Sequence, residues 1–294
     1  MNANLLRKTL STWLKTQPKS QGIAVLGSGR CGTSMVTRSL SFLGVDIGNE
    51  FIKTNEKNPK GFWENKKVVD IQKEINKVMR WKRPYESGWQ ENPKIRPYKE
   101  QLKRMTKNEF ANKQYWAWKD PRNCECLDLW KEILDELSMA MSAVIMIRNP
   151  IDVADSFKEA YNDKTQKSLR LWYVRTLTVL AGTENMPRVM IDYNDFLDDS
   201  FGSMRMIADS LNLPWPDDDA ELKRKLDDFV DPGLRHRATD LDELRNSPDI
   251  DADFKTLYEL CLKASRDREF FESRSFRNEV DELHKALMES GMKV

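Results

Sequence analysis

The sequence predicts a single three-layer α/β/α domain over residues 1–294, with a central parallel sheet and a phosphate-binding turn after the first strand. Two observations support this fold class. Short apolar runs alternate with segments of helical periodicity, an order typical of a parallel sheet covered by helices on both faces. Each apolar run ends in charged or glycine-rich residues, and ligands of such sheets bind beyond the carboxyl ends of the strands. We therefore expect one shared site at that edge.

Apolar runs and helical periodicity place the individual elements along the chain. The predicted strands cover residues 22–26, 115–118, 143–147 and 188–191. The predicted helices cover residues 34–43, 68–79, 127–137, 151–160, 169–180, 201–211, 254–271 and 276–288. Residues 80–97 contain three prolines and are predicted to be irregular. We also expect an N-terminal amphipathic helix over residues 1–20 and a mainly helical C-terminal part over residues 215–294.

Composition excludes several classes of function. With 48 basic and 47 acidic residues the formal net charge is +1, which gives no reason to expect a nucleic acid or an anionic membrane as partner. No apolar run reaches the ~20 residues that span a bilayer. Only two histidines are present, so His-based triads and His-rich metal sites are nearly excluded.

The four cysteines indicate a reducing compartment, and we expect the cytoplasm. They show no disulfide framework, and the single Cys-x-Cys pair lacks the second pair that a zinc site would need. No metal is therefore expected. The cysteines are Cys31, Cys124, Cys126 and Cys261.

The turn at residues 27–34, Gly-Ser-Gly-Arg-Cys-Gly-Thr-Ser, is predicted to bind phosphate. Backbone N–H groups at a glycine turn and a helix N-terminus bind anions. Its spacing is close to the Walker pattern, but Thr33 stands where that pattern has lysine. Kinases and hydrolases use that lysine on the outer phosphates, so its absence argues against them. A P-loop nucleotide kinase or hydrolase and a non-catalytic nucleotide-binding protein remain the alternatives.

Two motifs resemble those of sulfotransferases that use 3′-phosphoadenosine 5′-phosphosulfate (PAPS), including the tyrosylprotein and bacterial enzymes. Residues 29–34 resemble the loop for the 5′-phosphosulfate of PAPS. Arg148 and Ser156 match the pair that binds its 3′-phosphate. Their placement is also reasonable physically, because a strand-end arginine and a residue in the first turns of the next helix can converge on one phosphate. The matches span residues 22–197.

The resemblance implies sulfuryl transfer from PAPS, without a metal, to a hydroxyl or amine, leaving adenosine 3′,5′-bisphosphate. Lys119, in Lys119-Asp120-Pro121, would approach the transferring group. Tyr193 would lie near the adenine, or would be a core residue. The basic loop at residues 231–237 would close over PAPS, or would be a solvated turn. The residues expected to bind PAPS are Ser28, Gly29, Arg30, Cys31, Gly32, Thr33, Ser34, Arg148, Ser156, Tyr193, Arg235 and Arg237.

Transfer requires neutralisation of the leaving phosphate and removal of the acceptor proton. Arg30 and Lys119 are expected to supply the positive charge. Because histidine is scarce, we expect a carboxylate base, and Glu64 is the first choice since residues 58–64 resemble a bacterial sulfotransferase signature. Glu50 is the second candidate. It follows Arg30 by about as many residues as the catalytic glutamate of the tyrosylprotein sulfotransferases follows their loop arginine. Asp120 is the third candidate, with fixing of its loop as the alternative role.

The acceptor is expected to be a small molecule, a carbohydrate or another hydroxyl-bearing compound. Residues 80–114 are predicted to form an insertion on the acceptor side. Aromatic side chains in and after this insertion could line an acceptor cleft or pack in the core. These are Trp81, Tyr85, Trp89, Trp116 and Trp118.

Overall fold

A four-stranded parallel sheet with the order β2-β1-β3-β4 forms the centre of the molecule, which is flanked by helices. The computed structural model describes residues 20–54, 60–82, 84–231, 233 and 237–294. The parallel α/β fold class and all four predicted strands are confirmed. The strands are β1 (Gln21–Leu26), β2 (Tyr115–Lys119), β3 (Ala140–Ile147) and β4 (Arg188–Asp192).

Helices account for most of the remaining described chain. They are α1 (Thr33–Phe42), α2 (Lys66–Met79), α3 (Arg96–Phe110), α4 (Leu127–Glu136), α5 (Pro150–Tyr161), α6 (Thr165–Gly182), α7 (Tyr193–Asp198), α8 (Ser200–Leu211), α9 (Asp219–Phe229), α10 (Leu241–Asn246), α11 (Ala252–Arg266), α12 (Arg268–Glu272) and α13 (Arg274–Ser290). Short 3₁₀ turns lie at Trp89–Glu91 and Pro121–Cys124.

One predicted helix is wrong. Residues 254–271 form two helices, α11 and α12, because Asp267 leaves the helical conformation at φ −132° and ψ 96°. Its side chain then accepts a hydrogen bond from the backbone N–H of Phe270 and so caps α12. Aspartate favours such an N-cap position, so the break follows from local chemistry.

Register brings the carboxyl ends of the strands together. Val25 in β1 pairs with Lys119 in β2, Leu26 pairs with Ile145 in β3, and Ile147 pairs with Asp192 in β4. The central strands are buried on both faces, which explains their continuous apolar runs. The residues after the four strands therefore meet at one edge of the sheet.

An aromatic stack packs on the edge strand β2. Phe110 stacks on Trp116 at 4.3 Å between ring centroids, and Trp116 lies 5.0 Å from Trp118. Trp118 in turn lies 4.8 Å from Trp130. Trp116 and Trp118 are buried, as is Trp89, so core packing is confirmed for these three and lining of an open cleft is wrong. The two other aromatic candidates, at positions 81 and 85, are half-buried.

Some predictions fall on residues outside the described part of the chain. The prediction of an amphipathic helix over residues 1–20 concerns residues 1–19 almost entirely, and these are not described. Arg235 belongs to residues 234–236, which are not described either. Among the described residues, we find no helix with the length and apolar character that crossing a membrane requires. The single-domain boundary and the role of residues 80–114 on the acceptor side stay predictions.

Candidate active site

The glycine turn after β1 is tightly enclosed by its neighbours. A Cβ atom at Gly27, where φ is +143°, would lie 2.6 Å from the carbonyl oxygen of Met146. A Cβ atom at Gly32, where φ is +85°, would lie 2.6 Å from Cδ2 of Tyr193. Both positions therefore require glycine. Arg30 also has a positive φ of +71°, a strained conformation for a residue with a side chain.

The N-terminus of α1 is not capped by the side chain of its N-cap residue. Gly32 is its N-cap residue and provides no capping side chain, and the first turn of α1 contains no acidic residue. The first backbone N–H groups of a helix have no partner within it. Ser28 Oγ, in the same turn, is buried and has no hydrogen-bond partner among the described residues. The predicted phosphate loop thus has the donors that its function would require.

Arg148, Ser156 and Arg30 form a cluster beside this turn. Arg30 Nε donates a hydrogen bond to Ser156 Oγ at 2.9 Å. Arg148 Nη1 donates to the carbonyl oxygen of Arg30 at 3.2 Å. The Arg148 guanidinium stacks on the ring of Tyr193, 4.2 Å from the centroid. The structure therefore brings the predicted strand-end arginine and helix serine together, and it adds Arg30 to them.

Lys119 and Glu64 form a buried ion pair on another side of the turn. Lys119 Nζ lies 2.5 Å from Glu64 Oε1, and the two residues are 4% and 6% exposed. The same Nζ donates to Ser34 Oγ at 3.1 Å and to the carbonyl oxygen of Phe62 at 3.4 Å. Lys119 thus joins the first turn of α1 to the segment that contains Glu64.

The comparison of sequence families agrees with this geometry. Residues 22–217, more than half of the chain, match the model of the sulfotransferase family. The chain belongs to that family. A comparison with curated proteins gives no match.

Three solved sulfotransferase structures have low overall similarity to the chain. The sulfotransferase domain of the Synechococcus PCC 7002 olefin synthase is 16% identical, with a TM-score of 0.46, 83% of this chain and 94% of that domain being covered. The sulfotransferase domain of the curacin biosynthetic pathway is 14% identical, with a TM-score of 0.37, and the match covers 70% of this chain and 77% of that domain. Sulfotransferase STF1 of Mycobacterium tuberculosis H37Rv is 12% identical, with a TM-score of 0.39, and the match covers 86% of this chain and 79% of that one.

The three candidate bases of this sulfotransferase have different surroundings. Glu64 contacts Lys119, as described above. The side chain of Glu50 is 57% exposed and pairs with Lys67 at 3.1 Å. Asp120 is fully buried, and its Oδ1 accepts hydrogen bonds from the backbone N–H of Arg122 at 3.0 Å and from Arg122 Nη1 at 2.7 Å. These contacts match the alternative role of Asp120, in which it fixes its loop.

Arg237 is engaged by carboxylates. Its Nη1 lies 2.6 Å from Asp155 Oδ2, and its Nη2 contacts Glu243. The Arg237 side chain is 44% exposed. Its partner Asp155 is the residue before Ser156 in the sequence. Binding of PAPS by Arg237 stays a prediction, as does the position of Tyr193 relative to adenine.

The cysteines of the sulfotransferase are buried free thiols. Burial raises the pKa of Cys31, inside the glycine turn, to about 12. Cys124 Sγ donates to the carbonyl oxygen of Gly27 at 3.5 Å, and burial raises its pKa to about 12 as well. These thiols therefore remain protonated at neutral pH and are poor nucleophiles. The described residues contain no group of His, Cys, Asp and Glu side chains that could hold a metal ion.

Two residues near the cluster were missed at the level of sequence. Asp152 lies in the first turn of α5, and its Oδ2 is 3.8 Å from Arg148 Nε. Thr239, far along the chain, donates to Asp152 Oδ1 at 2.5 Å. Asp152 lies between the two motif residues Arg148 and Ser156, which is a weak signal, whereas nothing in the sequence around Thr239 indicates its contact.

Proposed function

We propose that this sulfotransferase transfers a sulfuryl group from PAPS to a hydroxyl or amine of an acceptor by in-line displacement. One observation carries the proposal: two separate cationic positions flank the glycine turn. One consists of Lys119 and the uncapped N-terminus of α1, and the other of Arg148 and Ser156, which both contact Arg30. The phosphates of ATP form one chain, whereas PAPS has phosphates at both the 5′ and 3′ positions of its ribose. Two separate cationic positions therefore suit PAPS better than ATP.

Different residues of the site would neutralise the leaving phosphate and remove the acceptor proton. The N–H groups of α1 and the ammonium of Lys119 would neutralise the 5′-phosphate as the bond from its oxygen to sulfur breaks. Glu64 would take the proton of the acceptor as the acceptor oxygen or nitrogen bonds to sulfur. Adenosine 3′,5′-bisphosphate then leaves. The contact between Lys119 and Glu64 supports a common place for these two roles.

Arg30 would bind PAPS differently from the expectation based on its loop position. Its Nε donates a hydrogen bond to Ser156 Oγ, so the guanidinium contacts the proposed 3′-phosphate pair. We therefore propose that Arg30 contributes to the binding of the 3′-phosphate. The free thiols also agree with the cytoplasmic setting that we propose.

Nucleotide preference tests the proposal. By calorimetry, adenosine 3′,5′-bisphosphate should bind more tightly than ATP or adenosine 5′-phosphate. Arg148→Ala should weaken the bisphosphate by about 2 kcal/mol, the scale of a hydrogen bond to a charged group, and leave adenosine 5′-phosphate nearly unchanged. A preference for ATP would support the kinase or hydrolase alternative and reject PAPS. Equal losses for both nucleotides would show that Arg148 does not bind the 3′-phosphate.

The acceptor requires a separate assay. Incubation of the enzyme with PAPS labelled in its sulfate, together with fractions of a cell lysate, should label the fraction that contains the acceptor. Heat-inactivated enzyme provides the background for each fraction. Equal labelling with active and inactivated enzyme would contradict enzymatic transfer.

A further inference from the structure

Thr239 is bound to the start of α5 by three hydrogen bonds. Its backbone N–H and its Oγ1 both donate to Asp152 Oδ1, at 3.2 Å and 2.5 Å. Asn149 Nδ2 donates to the carbonyl oxygen of Thr239 at 3.1 Å. All three residues are buried, although Thr239 is 87 positions from Asp152 in the chain. Thr239, in the segment before α10, is therefore fixed to the start of α5.

This attachment determines where the other oxygen of Asp152 faces. With Oδ1 held by Thr239, Oδ2 lies 3.8 Å from Arg148 Nε. That separation permits an ion pair but is too long for a hydrogen bond. Both Oδ2 and Nε are buried and without a hydrogen-bond partner among the described residues. The charge of Asp152 is thus directed at one side of the Arg148 guanidinium, whose Nη1 is bound on another side by the carbonyl oxygen of Arg30.

We infer that Thr239 and Asp152 are positioning residues for Arg148. Thr239 orients the Asp152 carboxylate, and the carboxylate holds the guanidinium in the orientation in which it meets the 3′-phosphate. Neither residue needs to touch the nucleotide in this role. The inference rests on the proposed function, because it takes Arg148 as the residue that binds the 3′-phosphate.

A simpler role for Asp152 predicts a different result. An acidic residue in the first turn of a helix stabilises the helix through its dipole. In that role Asp152 would change the stability of α5, and any effect on nucleotides would be the same for all of them. The positioning role instead predicts a loss confined to nucleotides that have a 3′-phosphate.

The test removes one hydroxyl. Thr239→Val keeps the shape of the side chain and the backbone N–H but lacks the Oγ1 donor. It should weaken adenosine 3′,5′-bisphosphate about tenfold, which is one hydrogen bond of about 1.4 kcal/mol, and leave adenosine 5′-phosphate within twofold. Thr239→Ser restores the donor and should bind both nucleotides like the wild type. Thr106→Val is the matched control, since Thr106 is also buried and its hydroxyl has no hydrogen-bond partner among the described residues.

Hydrogen exchange on the wild-type protein gives a second measurement, valid even if Thr239→Val does not fold. Coupling between two sites is reciprocal, so binding at Arg148 must strengthen the attachment of Thr239. The amide of Thr239 should exchange more slowly with the bisphosphate than with adenosine 5′-phosphate, at equal saturation. Equal exchange rates, or equal losses of both nucleotides in Thr239→Val, would overturn the inference alone. A wild type without preference for the bisphosphate would overturn the proposed function.

Discussion

Glu64 and Lys119 are 55 positions apart in the chain, yet their charged ends meet in a buried contact beside the glycine turn. Removing two charges from water is costly, and a buried ion pair is weak evidence for stability. Its location beside the first turn of α1 instead supports the proposal that the pair belongs to the reaction site. Among the three carboxylates weighed as base, Glu64 is the one in contact with Lys119.

Substitution of the two rival glutamates separates them. Glu64→Gln should lower kcat by about 10²–10⁴-fold, the usual contribution of a general base. Glu50→Gln, at an exposed side chain paired with Lys67, should change kcat little and is the matched control. The measurement is turnover at saturating PAPS, with bisphosphate affinity determined alongside. Loss of turnover in Glu50→Gln, with normal turnover in Glu64→Gln, would assign the base to Glu50.

Much of this site could be predicted at the level of residue types, but not its contacts. The glycine turn and Arg148 follow strands and Lys119 ends one, so the topology of a parallel sheet brings them together. The bond from Arg30 to Ser156 depends on a left-handed conformation at Arg30, which local sequence does not specify. The link between Thr239 and Asp152 depends on the path of the chain after α9, which no periodicity reveals.

Elements were predictable where apolar periodicity was strong. All four strands were placed to within about three residues, because buried parallel strands are continuous apolar runs. Helix α3 was missed, since it is rich in charge and Pro97 suggested an irregular segment. That proline lies in the first turn of α3, where its missing N–H has no partner in the helix anyway.

The turn between β1 and α1 makes a prediction at the scale of an element. Gly32→Ala places a methyl group against Tyr193 in a left-handed conformation, so it should reduce both the free energy of unfolding and bisphosphate affinity. We expect a stability loss of about 2–3 kcal/mol from strain and overlap together. Denaturant unfolding and calorimetry measure the two effects.

Gly44, just after α1, supplies the control for this substitution. Its φ is +82°, nearly that of Gly32, but a Cβ atom there would have nothing within 4 Å. Gly44→Ala should therefore show only the cost of the left-handed conformation, about 1 kcal/mol, with normal bisphosphate binding. An equal loss of stability in both variants would mean that contact with Tyr193 is unimportant.

At the scale of the whole molecule, the fold places the proposed catalytic groups and stabilising groups at the same edge of the sheet. The sheet order β2-β1-β3-β4 brings four strand ends side by side. Each end carries a residue of the proposed site or a residue that stabilises the neighbouring structure. Asp192, at the end of β4, caps α7 by accepting hydrogen bonds from the N–H groups of Asn194 and Asp195. It is buried, and its other oxygen accepts from the hydroxyl of Tyr258 at 3.2 Å.

Burial of this carboxyl makes the stability of the protein depend on pH. Burial, with a smaller effect of Asp195, raises the pKa of Asp192 to about 6. The unfolded chain has the ordinary aspartate value of about 3.9. Between about pH 4 and pH 6 the folded state therefore binds more protons, and the contribution of Asp192 to stability falls as pH rises.

Asp192→Asn removes this contribution while keeping a side chain that caps helices well. The free energy of unfolding of the variant minus that of the wild type should increase between pH 4 and pH 7 by up to about 3 kcal/mol, the value of a two-unit shift. Denaturant unfolding at several pH values measures it, and taking the difference cancels the titration of other groups. Asp199→Asn, at the exposed cap of α8, is the control. A constant difference for Asp192→Asn across this range, or the same trend in both variants, would show that burial at the end of β4 does not disfavour the charge.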